Sequence, residues 1–243
     1  MTRRLNRRQA LAGFGSVSLG ALLAACGDSD SRTRATPVPT TDGDTATVEP
    51  RSSPDSGLAS RFDESAACTQ TPELTEGPYY FDADAIRSDI RDGHEGATLR
   101  LGIRVRDAGE CTPRQDAVVD IWQCDAGGEY SAEPERFLRG TQVTDADGIA
   151  QFTTIYPGWY QGRTVHIHAK VHVNNEAVLT TQLFFDDEVS SKVFTSEPYA
   201  SQGEGRQFND SDGIFDPALL LTLSEEGDGY LGLITFDLVR VEA

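Results

Sequence analysis

The chain has little positive charge. Its 243 residues include 21 lysines and arginines against 39 aspartates and glutamates, which gives a formal net charge of -18 at pH 7. Nucleic acids and anionic membrane surfaces repel a protein of this charge. The composition therefore argues against nucleic acid as a partner and against membrane binding through surface charge, and it favours a well-hydrated surface.

The chain also lacks a long hydrophobic run. The apolar stretch from Ala10 to Ala25 follows four arginines and is too short to span a bilayer comfortably. This arrangement is typical of an export signal, and the tetrapeptide at its end, Leu23-Ala24-Ala25-Cys26, resembles a bacterial lipobox. We therefore expect residues 1–26 to be an export signal and Cys26 to carry a lipid as the first residue of the mature protein. The alternative is an ordinary cleavage site next to an incidental cysteine.

The route of export stays open. Arg7-Arg8 resembles a twin-arginine signal, although Asn6 precedes the pair and no phenylalanine follows it. Either the twin-arginine route or the general route would place the protein outside the cytoplasm, held to the membrane only by its N-terminal lipid.

Residues 27–65 contain almost no large apolar side chains and are rich in Ser, Thr, Asp, Pro and Arg. Such a segment has little surface to bury and is expected to be a disordered tether. The composition changes near Ala66, so we expect one folded domain over residues 66–243, which is a length that supports a good hydrophobic core.

Cysteine is scarce, with four residues in the chain. Export implies an oxidising compartment, where cysteines pair. With Cys26 assigned to lipid, three cysteines remain. Cys68 lies at the start of the domain and Cys111 lies in a polar loop, so a disulfide between them could tie the start of the domain to this loop. Cys124 lies in an apolar strand and is expected to remain a buried thiol. The alternative is that all three are free.

Helical periodicity is also scarce, whereas strand patterns are frequent. Residues 99–105 alternate apolar and polar side chains, residues 118–124 are largely apolar, and residues 164–173 alternate again. Turn residues at 145–148, 173–177 and 226–229 predict three hairpins. The pattern predicts an all-β fold, a β-sandwich with few short helices, in which loops and rim-facing side chains carry function.

Two of the four histidines form a His-x-His pair, His166 and His168. On the strand predicted over residues 164–173 they share the polar face, with Cα atoms roughly 6.5 to 7 Å apart. This separation suits two imidazoles that converge on one metal ion, but imidazole binds iron, copper, zinc and nickel alike. The alternative is that the two histidines are solvated or have a structural role and bind no metal.

Two tyrosines follow glycine just outside predicted strands, Tyr130 in Gly128-Glu129-Tyr130 and Tyr160 in Gly158-Trp159-Tyr160. A phenolate is a hard oxygen donor that favours ferric iron. A free phenol ionises near pH 10, so a strong local charge such as a bound trivalent metal is needed to hold the phenolate at neutral pH. A packed or rim tyrosine is the structural alternative.

These residues belong to a longer pattern that resembles the intradiol ring-cleavage dioxygenases, the non-haem ferric enzymes that open catechols between their two hydroxylated carbons. The resemblance covers most of the predicted domain through residues 75–80, 119–123, 128–130, 157–160, 163–168, 212–215 and 228–230. It departs at the N-terminus, where the helical dimerisation region of the catechol enzymes is replaced by signal and tether. The oligomeric state therefore stays open.

The resemblance implies a mononuclear Fe3+ site with Tyr130, Tyr160, His166 and His168 as ligands. Tyr130 and His166 are expected to stay in place, and Tyr160 is expected to leave when the substrate chelates and to accept a substrate proton. The implied substrates are a small aromatic diol and O2, and the implied products are muconate-type dicarboxylic acids.

Further residues follow from the same resemblance. Arg163 is expected to stabilise negative charge on the substrate ring, and Gln182 to help hold the substrate. Tyr79 or Tyr80 could line the substrate pocket. The sequence does not identify the catechol, although the short Gln161-Gly162 segment favours an open site that accepts large catechols.

Two other functions compete with this one. The first is a non-catalytic β-sandwich binding module. The second is a ferrous oxygenase in which His166 and His168 join a carboxylate in a facial triad. Tyr130 and Tyr160 distinguish the ferric site from the facial triad, because a phenolate bound to ferric iron absorbs visible light.

Overall fold

The computed structural model describes residues 57–63, 68–83 and 85–239, together with the backbone of two short strands, β1 (Thr36–Pro39) and β2 (Thr45–Val48), which pair antiparallel. The predicted export signal and Cys26 lie outside the described residues. None of the helices in the described part of the chain is long and apolar enough to cross a membrane.

The domain is a β-sandwich of two sheets, as predicted. The first sheet contains β3 (Thr98–Asp107), β4 (Thr112–Pro113), β7 (Ile149–Ile155), β10 (Thr222–Glu226) and β11 (Gly229–Leu238). The second contains β5 (Val118–Trp122), β6 (Arg139–Val143), β8 (His166–Val173) and β9 (Glu176–Phe184) in the order β6-β5-β8-β9.

Helices are few and short in the described residues. The N-terminus of α1 (Asp187–Val193) is capped by Asp186, whose carboxylate accepts hydrogen bonds from the backbone amides of Glu188 and Val189. Four 3-10 helices cover Ala59–Arg61, Tyr199–Gln202, Asn209–Ser211 and Pro217–Leu219.

The core lies between the sheets. Leu99, Leu101 and Ile103 of β3 are fully buried, and so are Ile167 and Ala169 of β8. Side chains alternate along a strand, so the apolar residues of β8 that fill the core leave His166 and His168 on the opposite face of their sheet. Burial of the apolar face thus fixes which way both imidazoles point.

Two of the three predicted hairpins form. The turn between β8 and β9 places Asn174 and Asn175 at φ of 52° and 64°, the left-handed pair typical of a two-residue turn. The turn between β10 and β11 closes the second hairpin.

The predicted hairpin at residues 145–148 is wrong. Asp145 accepts hydrogen bonds from the amides of Asp147 and Ile149, so the turn itself is present. Its flanking strands nevertheless separate, because β6 pairs with β5 in one sheet and β7 pairs with β3 in the other. Turn chemistry is local, and it does not determine which partner each flanking strand finds.

Part of the segment predicted to be a tether packs on the domain. Leu58 and Phe62 are 1% and 6% exposed, and they form a small apolar cluster with Ile149, Leu231 and Leu233. The physical reason is that these two large apolar side chains find a matching patch on the outer face of the first sheet. The signal and domain boundaries at residues 26 and 65 otherwise stay predictions.

A disulfide joins Cys68 to Cys111, with Cα atoms 5.6 Å apart. It ties the start of the domain to the polar loop after β3. Cys124 is a free, buried thiol whose pKa is raised by burial.

Candidate functional site

The site lies on the polar face of the second sheet. Strand register places Arg139 of β6, Trp122 of β5, His168 of β8 and Gln182 of β9 in one row across all four strands. Cross-strand neighbours on one face of a sheet have Cβ atoms about 4.5 to 5.5 Å apart. The row therefore brings a cation, an indole, an imidazole and an amide together.

Four donor atoms predicted from the sequence converge beside this row. The Nε2 atom of His166 lies 3.1 Å from Nε2 of His168, 3.0 Å from the Tyr160 hydroxyl oxygen and 3.4 Å from the Tyr130 hydroxyl oxygen. Both histidines are buried, at 2% and 1% exposure. The fold thus assembles two imidazoles and two phenols around one point.

The loop that carries Tyr130 is shaped by Asp125. One oxygen of its carboxylate, Oδ1, accepts hydrogen bonds from the backbone amides of Gly127 and Glu129, each at 2.9 Å. This Asx-type arrangement turns the chain sharply after β5. Tyr130 therefore returns toward the sheet that the loop has just left.

The protonation of His166 suits metal binding. Its Nδ1 atom lies 2.7 Å from the carbonyl oxygen of Thr164, which can only accept, so Nδ1 carries the hydrogen and Nε2 keeps its lone pair. Burial, and then the positive charge of Arg163, lower the pKa of His166 to about 3. Burial also lowers the pKa of His168 well below its usual value. Both imidazoles are therefore neutral at pH 7, as metal ligands must be.

The tyrosines require a positive charge to act as phenolates. Burial raises the pKa of Tyr130 well above 10, and it also raises the pKa of Tyr160, against the lowering effects of Tyr130 and Arg163. The single lone pair of His166 Nε2 cannot serve three neighbours at hydrogen-bond distance. A cation among the four donors would relieve this crowding and stabilise both phenolates, and the donor set of two phenolate oxygens and two imidazole nitrogens would fit a hard trivalent ion such as Fe3+.

In the described part of the chain, no carboxylate joins His166 and His168 to form a facial triad. Among the residues that the structure describes, no group of three His, Cys, Asp or Glu side chains could hold a metal ion. The nearby carboxylate of Asp212 accepts hydrogen bonds from Arg163 Nε and from the amide of Thr164, both at 2.9 Å. The donor set of the site is thus the two tyrosines and two histidines.

Arg163 and Gln182 adjoin this set, and they bond to each other. Arg163 Nη2 donates to the side-chain oxygen of Gln182, and Gln182 Nε2 donates to the carbonyl oxygen of Thr75 at 2.8 Å. Asp212 holds the other edge of the guanidinium. We missed Asp212 as a positioning residue, although the Asp212-Gly213 pair belongs to the pattern that carried the resemblance.

Tyr79 and Tyr80 take different places. Tyr79 stacks on the ring of Tyr130, with centroids 4.4 Å apart, and is 45% exposed. Tyr80 instead packs on Trp122, with Lys170 Nζ 3.7 Å from the centre of its ring. Tyr79 therefore lies at the open side of the site, and Tyr80 lies one layer away from it.

Trp122 and Arg139 lie next to the donor set in the cross-strand row, and the sequence did not show this placement. The Trp122 ring stacks parallel on His168 at 4.9 Å. Trp122 Nε1 and Arg139 Nη1 are buried without a hydrogen-bond partner in the described part of the chain, and both residues line a cavity of about 20 Å³. A cavity of this size holds one water molecule.

The other two histidines lie outside the donor set. His172 is half-buried, and its Nε2 lies 3.0 Å from the carboxylate of Asp120. His94 stacks on Phe137 and lies 3.7 Å from Asp125.

Known proteins resemble the chain over the same region. The family model described as Dioxygenase (Dioxygenase_C) matches residues 71–202. Chlorocatechol 1,2-dioxygenase of Pseudomonas sp. (strain P51) is 29% identical over 138 residues, which are 46% of this chain and 54% of the relative. The chain spans about half the length of this relative and of its Rhodococcus opacus counterpart.

Solved structures extend the match. The intradiol ring-cleavage dioxygenase from Tetranychus urticae is 33% identical, with a TM-score of 0.69 over 72% of this chain and 97% of that one. The dioxygenase domain of a dioxygenase carbohydrate-binding protein fusion from Streptomyces sp. SirexAA-E is 34% identical, with a TM-score of 0.59 over 71% of this chain and 100% of that one. The chain belongs to the intradiol ring-cleavage dioxygenase family.

Proposed function

We propose that the protein is a non-haem ferric dioxygenase that cleaves catechol-type aromatic rings between the two hydroxylated carbons and inserts both atoms of O2. The observation that carries this proposal is the convergence of Tyr130, Tyr160 and His168 on Nε2 of His166 within 3.4 Å. The names of the relatives, chlorocatechol and intradiol ring-cleavage dioxygenases, support the same chemistry.

The proposed cofactor is one Fe3+ ion, held by Tyr130, Tyr160, His166 and His168. When bound, the ion would supply Lewis-acid chemistry toward an aromatic diol and would activate the ring toward dioxygen. The remaining steps belong to the side chains around it.

Tyr160 has the role of internal base. Tyr160 and the substrate diol both carry phenolic hydroxyls of similar acidity. A proton can therefore pass from the diol to the Tyr160 oxygen with little driving force in either direction. Burial raises the pKa of Tyr160, opposed by the hydrogen bond with Tyr130 and by the charge of Arg163, whereas burial raises the pKa of Tyr130 well above 10. Tyr130, by contrast, is covered by the ring of Tyr79 and suits a permanent ligand.

Arg163 has the role of charge stabilisation. The Arg163 side chain is 15% exposed, and its guanidinium is held by Asp212 on one edge and Gln182 on another. A cation held in this way does not need to reorganise when negative charge develops on the substrate carbon. Gln182 orients Arg163 through its side-chain oxygen, while its Nε2 atom donates to the carbonyl oxygen of Thr75.

The proposed substrates are an aromatic diol and O2, and the products are muconate-type dicarboxylic acids. The test is aerobic incubation of iron-replete protein with a panel of catechols that differ in ring substituents. We expect dioxygen uptake to match the amount of ring-opened dicarboxylic acid. Tight binding of catechols without dioxygen uptake would instead identify a non-catalytic binding module.

We further propose that the protein is exported and anchored by a lipid on Cys26. The support is the sequence, with arginines before a short apolar run and a lipobox-like end, together with a domain that contains a disulfide. Changing Cys26 to Ser should release the protein from membranes. Unaltered membrane association of that variant would contradict the anchor.

A further inference from the structure

Two loops that carry the tyrosine donors contact each other through their backbones. The Tyr130 loop comprises residues 125–131, and the Tyr160 loop comprises residues 157–163. The amide of Gly158 donates a hydrogen bond to the carbonyl oxygen of Asp125 at 3.0 Å. The two loops therefore move together or must break this contact first.

The contact is close enough to require glycine. Gly128 has a φ of 87°, in the left-handed region, and a Cβ at this position would overlap with the carbonyl oxygen of Trp159. The residue immediately before Tyr160 thus lies against the Tyr130 loop.

Gln202 bonds to both loops with one side chain. Its Nε2 atom donates to the carbonyl oxygen of Gly127 at 2.5 Å and to that of Trp159 at 2.9 Å. The Trp159 amide lies 3.5 Å from Gln202 Oε1. A carboxamide has two N–H hydrogens and one acceptor oxygen, so Gln202 can satisfy all three contacts at once.

Gln202 itself is firmly placed. It ends the 3-10 helix Tyr199–Gln202, and the buried Tyr199 donates its hydroxyl hydrogen to the carbonyl oxygen of Tyr156 at 2.7 Å. The same hydroxyl oxygen accepts a hydrogen bond from the amide of Ala97 at 3.0 Å. The helix is therefore fixed to the strand end that leads into the Tyr160 loop.

We infer that Gln202 is a positioning residue that clamps the Tyr130 loop to the Tyr160 loop and so holds both phenol oxygens toward His166. The inference rests on the proposed function for its significance, since Tyr160 is the donor that leaves and returns while Tyr130 stays. Gln202 bonds the residue before the mobile donor to the loop of the fixed one. Its amide thus sets where Tyr160 returns.

The test is amide hydrogen exchange of the iron-free protein, followed by mass spectrometry of peptides from both loops. Gln202→Ala removes all three contacts, and Gln202→Glu places a carboxylate against two carbonyl oxygens. We expect exchange in both loops to be at least about tenfold faster in each variant, because the loss of a single hydrogen bond can have about this effect and each variant loses at least two.

The matched control is Ser201→Ala. Ser201 lies in the same 3-10 helix and is exposed, and its hydroxyl donates only to the carbonyl oxygen of Pro198, at 2.7 Å. This variant should exchange like the wild type in both loops. Unchanged exchange in Gln202→Ala, or an equal increase in Ser201→Ala, would overturn the clamp.

A second readout separates positioning from a merely structural role. In iron-loaded protein, Gln202→Ala should shift the visible phenolate-to-iron absorption toward that of Tyr160→Phe, whereas Ser201→Ala should leave it unchanged. A wild-type spectrum in Gln202→Ala would overturn the positioning role. A colourless iron-loaded wild type would contradict the proposed function alone, because the exchange comparison needs neither iron nor turnover.

Discussion

At the scale of the residue, the two histidines of β8 have a built-in control on the same strand. His166→Ala or His168→Ala should remove iron, because each supplies a donor to the cluster and no neighbouring imidazole replaces it. His172 lies on the same face and pairs with Asp120 instead, so His172→Ala should retain iron. Iron content and visible colour of the three variants measure the difference. Full colour in either of the first two would refute the ligand set.

Tyr160 and Tyr130 have the same chemistry and different proposed roles. Tyr160→Phe removes the donor proposed to leave during turnover, so iron should largely stay while turnover falls by about 10² to 10⁴, the usual span for a positioned acid or base. Tyr130→Phe removes the donor proposed to stay bound, and should reduce iron affinity and activity together.

Metal content, visible spectrum and single-turnover rate of the two tyrosine variants decide this division of roles. Wild-type turnover in Tyr160→Phe would show that Tyr160 is not the base. Full iron and activity in Tyr130→Phe would show that Tyr130 is not the permanent ligand.

At the scale of the element, the buried ion pair between β3 and β11 contributes to the parallel pairing of these strands. Arg106 Nε lies 2.7 Å from Asp237 Oδ1, and the two side chains are 4% and 6% exposed. Asp237→Ala leaves an uncompensated buried guanidinium and should lower the free energy of unfolding by about 3 to 5 kcal/mol. Urea denaturation followed by circular dichroism measures this change.

The matched control is the exposed pair of Lys192 and Glu225, whose side chains are 67% and 70% exposed. Glu225→Ala should leave the urea midpoint unchanged, because water and salt screen an exposed pair. Equal midpoints for the Asp237 and Glu225 variants would show that burial of the ion pair does not determine its contribution.

The sequence predicted individual strands and turns, because alternation and turn residues are visible within one short segment. Alternation over residues 164–173 predicted β8 and the shared face of its histidines, and the asparagines at 174 and 175 predicted the β8–β9 turn. The parallel pairing of β3 with β11 had no such signal, since it joins distant segments and depends on how the whole sandwich closes. The same limit explains the wrong hairpin at residues 145–148.

His166 and His168 were predictable as a pair because their spacing puts them on one face of a strand, whereas Tyr130 and Tyr160 joined them through the resemblance to the intradiol dioxygenases. The supports of these four residues were not predictable. Asp212 and Gln202 come from distant segments, and only the fold brings them to Arg163 and to the two tyrosine loops. Trp122 was part of the recognised pattern, but its stacking on His168 follows from strand register.

At the scale of the whole molecule, the disulfide and the buried thiol predict a simple labelling pattern. Cys68 and Cys111 should resist alkylation in the folded, unreduced protein, and they should react once reductant is added. Cys124 is 1% exposed and should react only when the protein unfolds. Mass spectrometry of the alkylated protein counts the modified thiols. Labelling of Cys68 and Cys111 without reductant would contradict the bridge.

The central claim is that the four donors around His166 Nε2 hold iron for intradiol ring cleavage. The most direct measurement is a single-turnover reaction of the iron-loaded protein with a catechol under isotopically labelled dioxygen, with mass analysis of the product. We expect a ring-opened dicarboxylic acid that contains both labelled oxygen atoms. A semialdehyde from cleavage outside the diol, or a product without labelled oxygen, would contradict it.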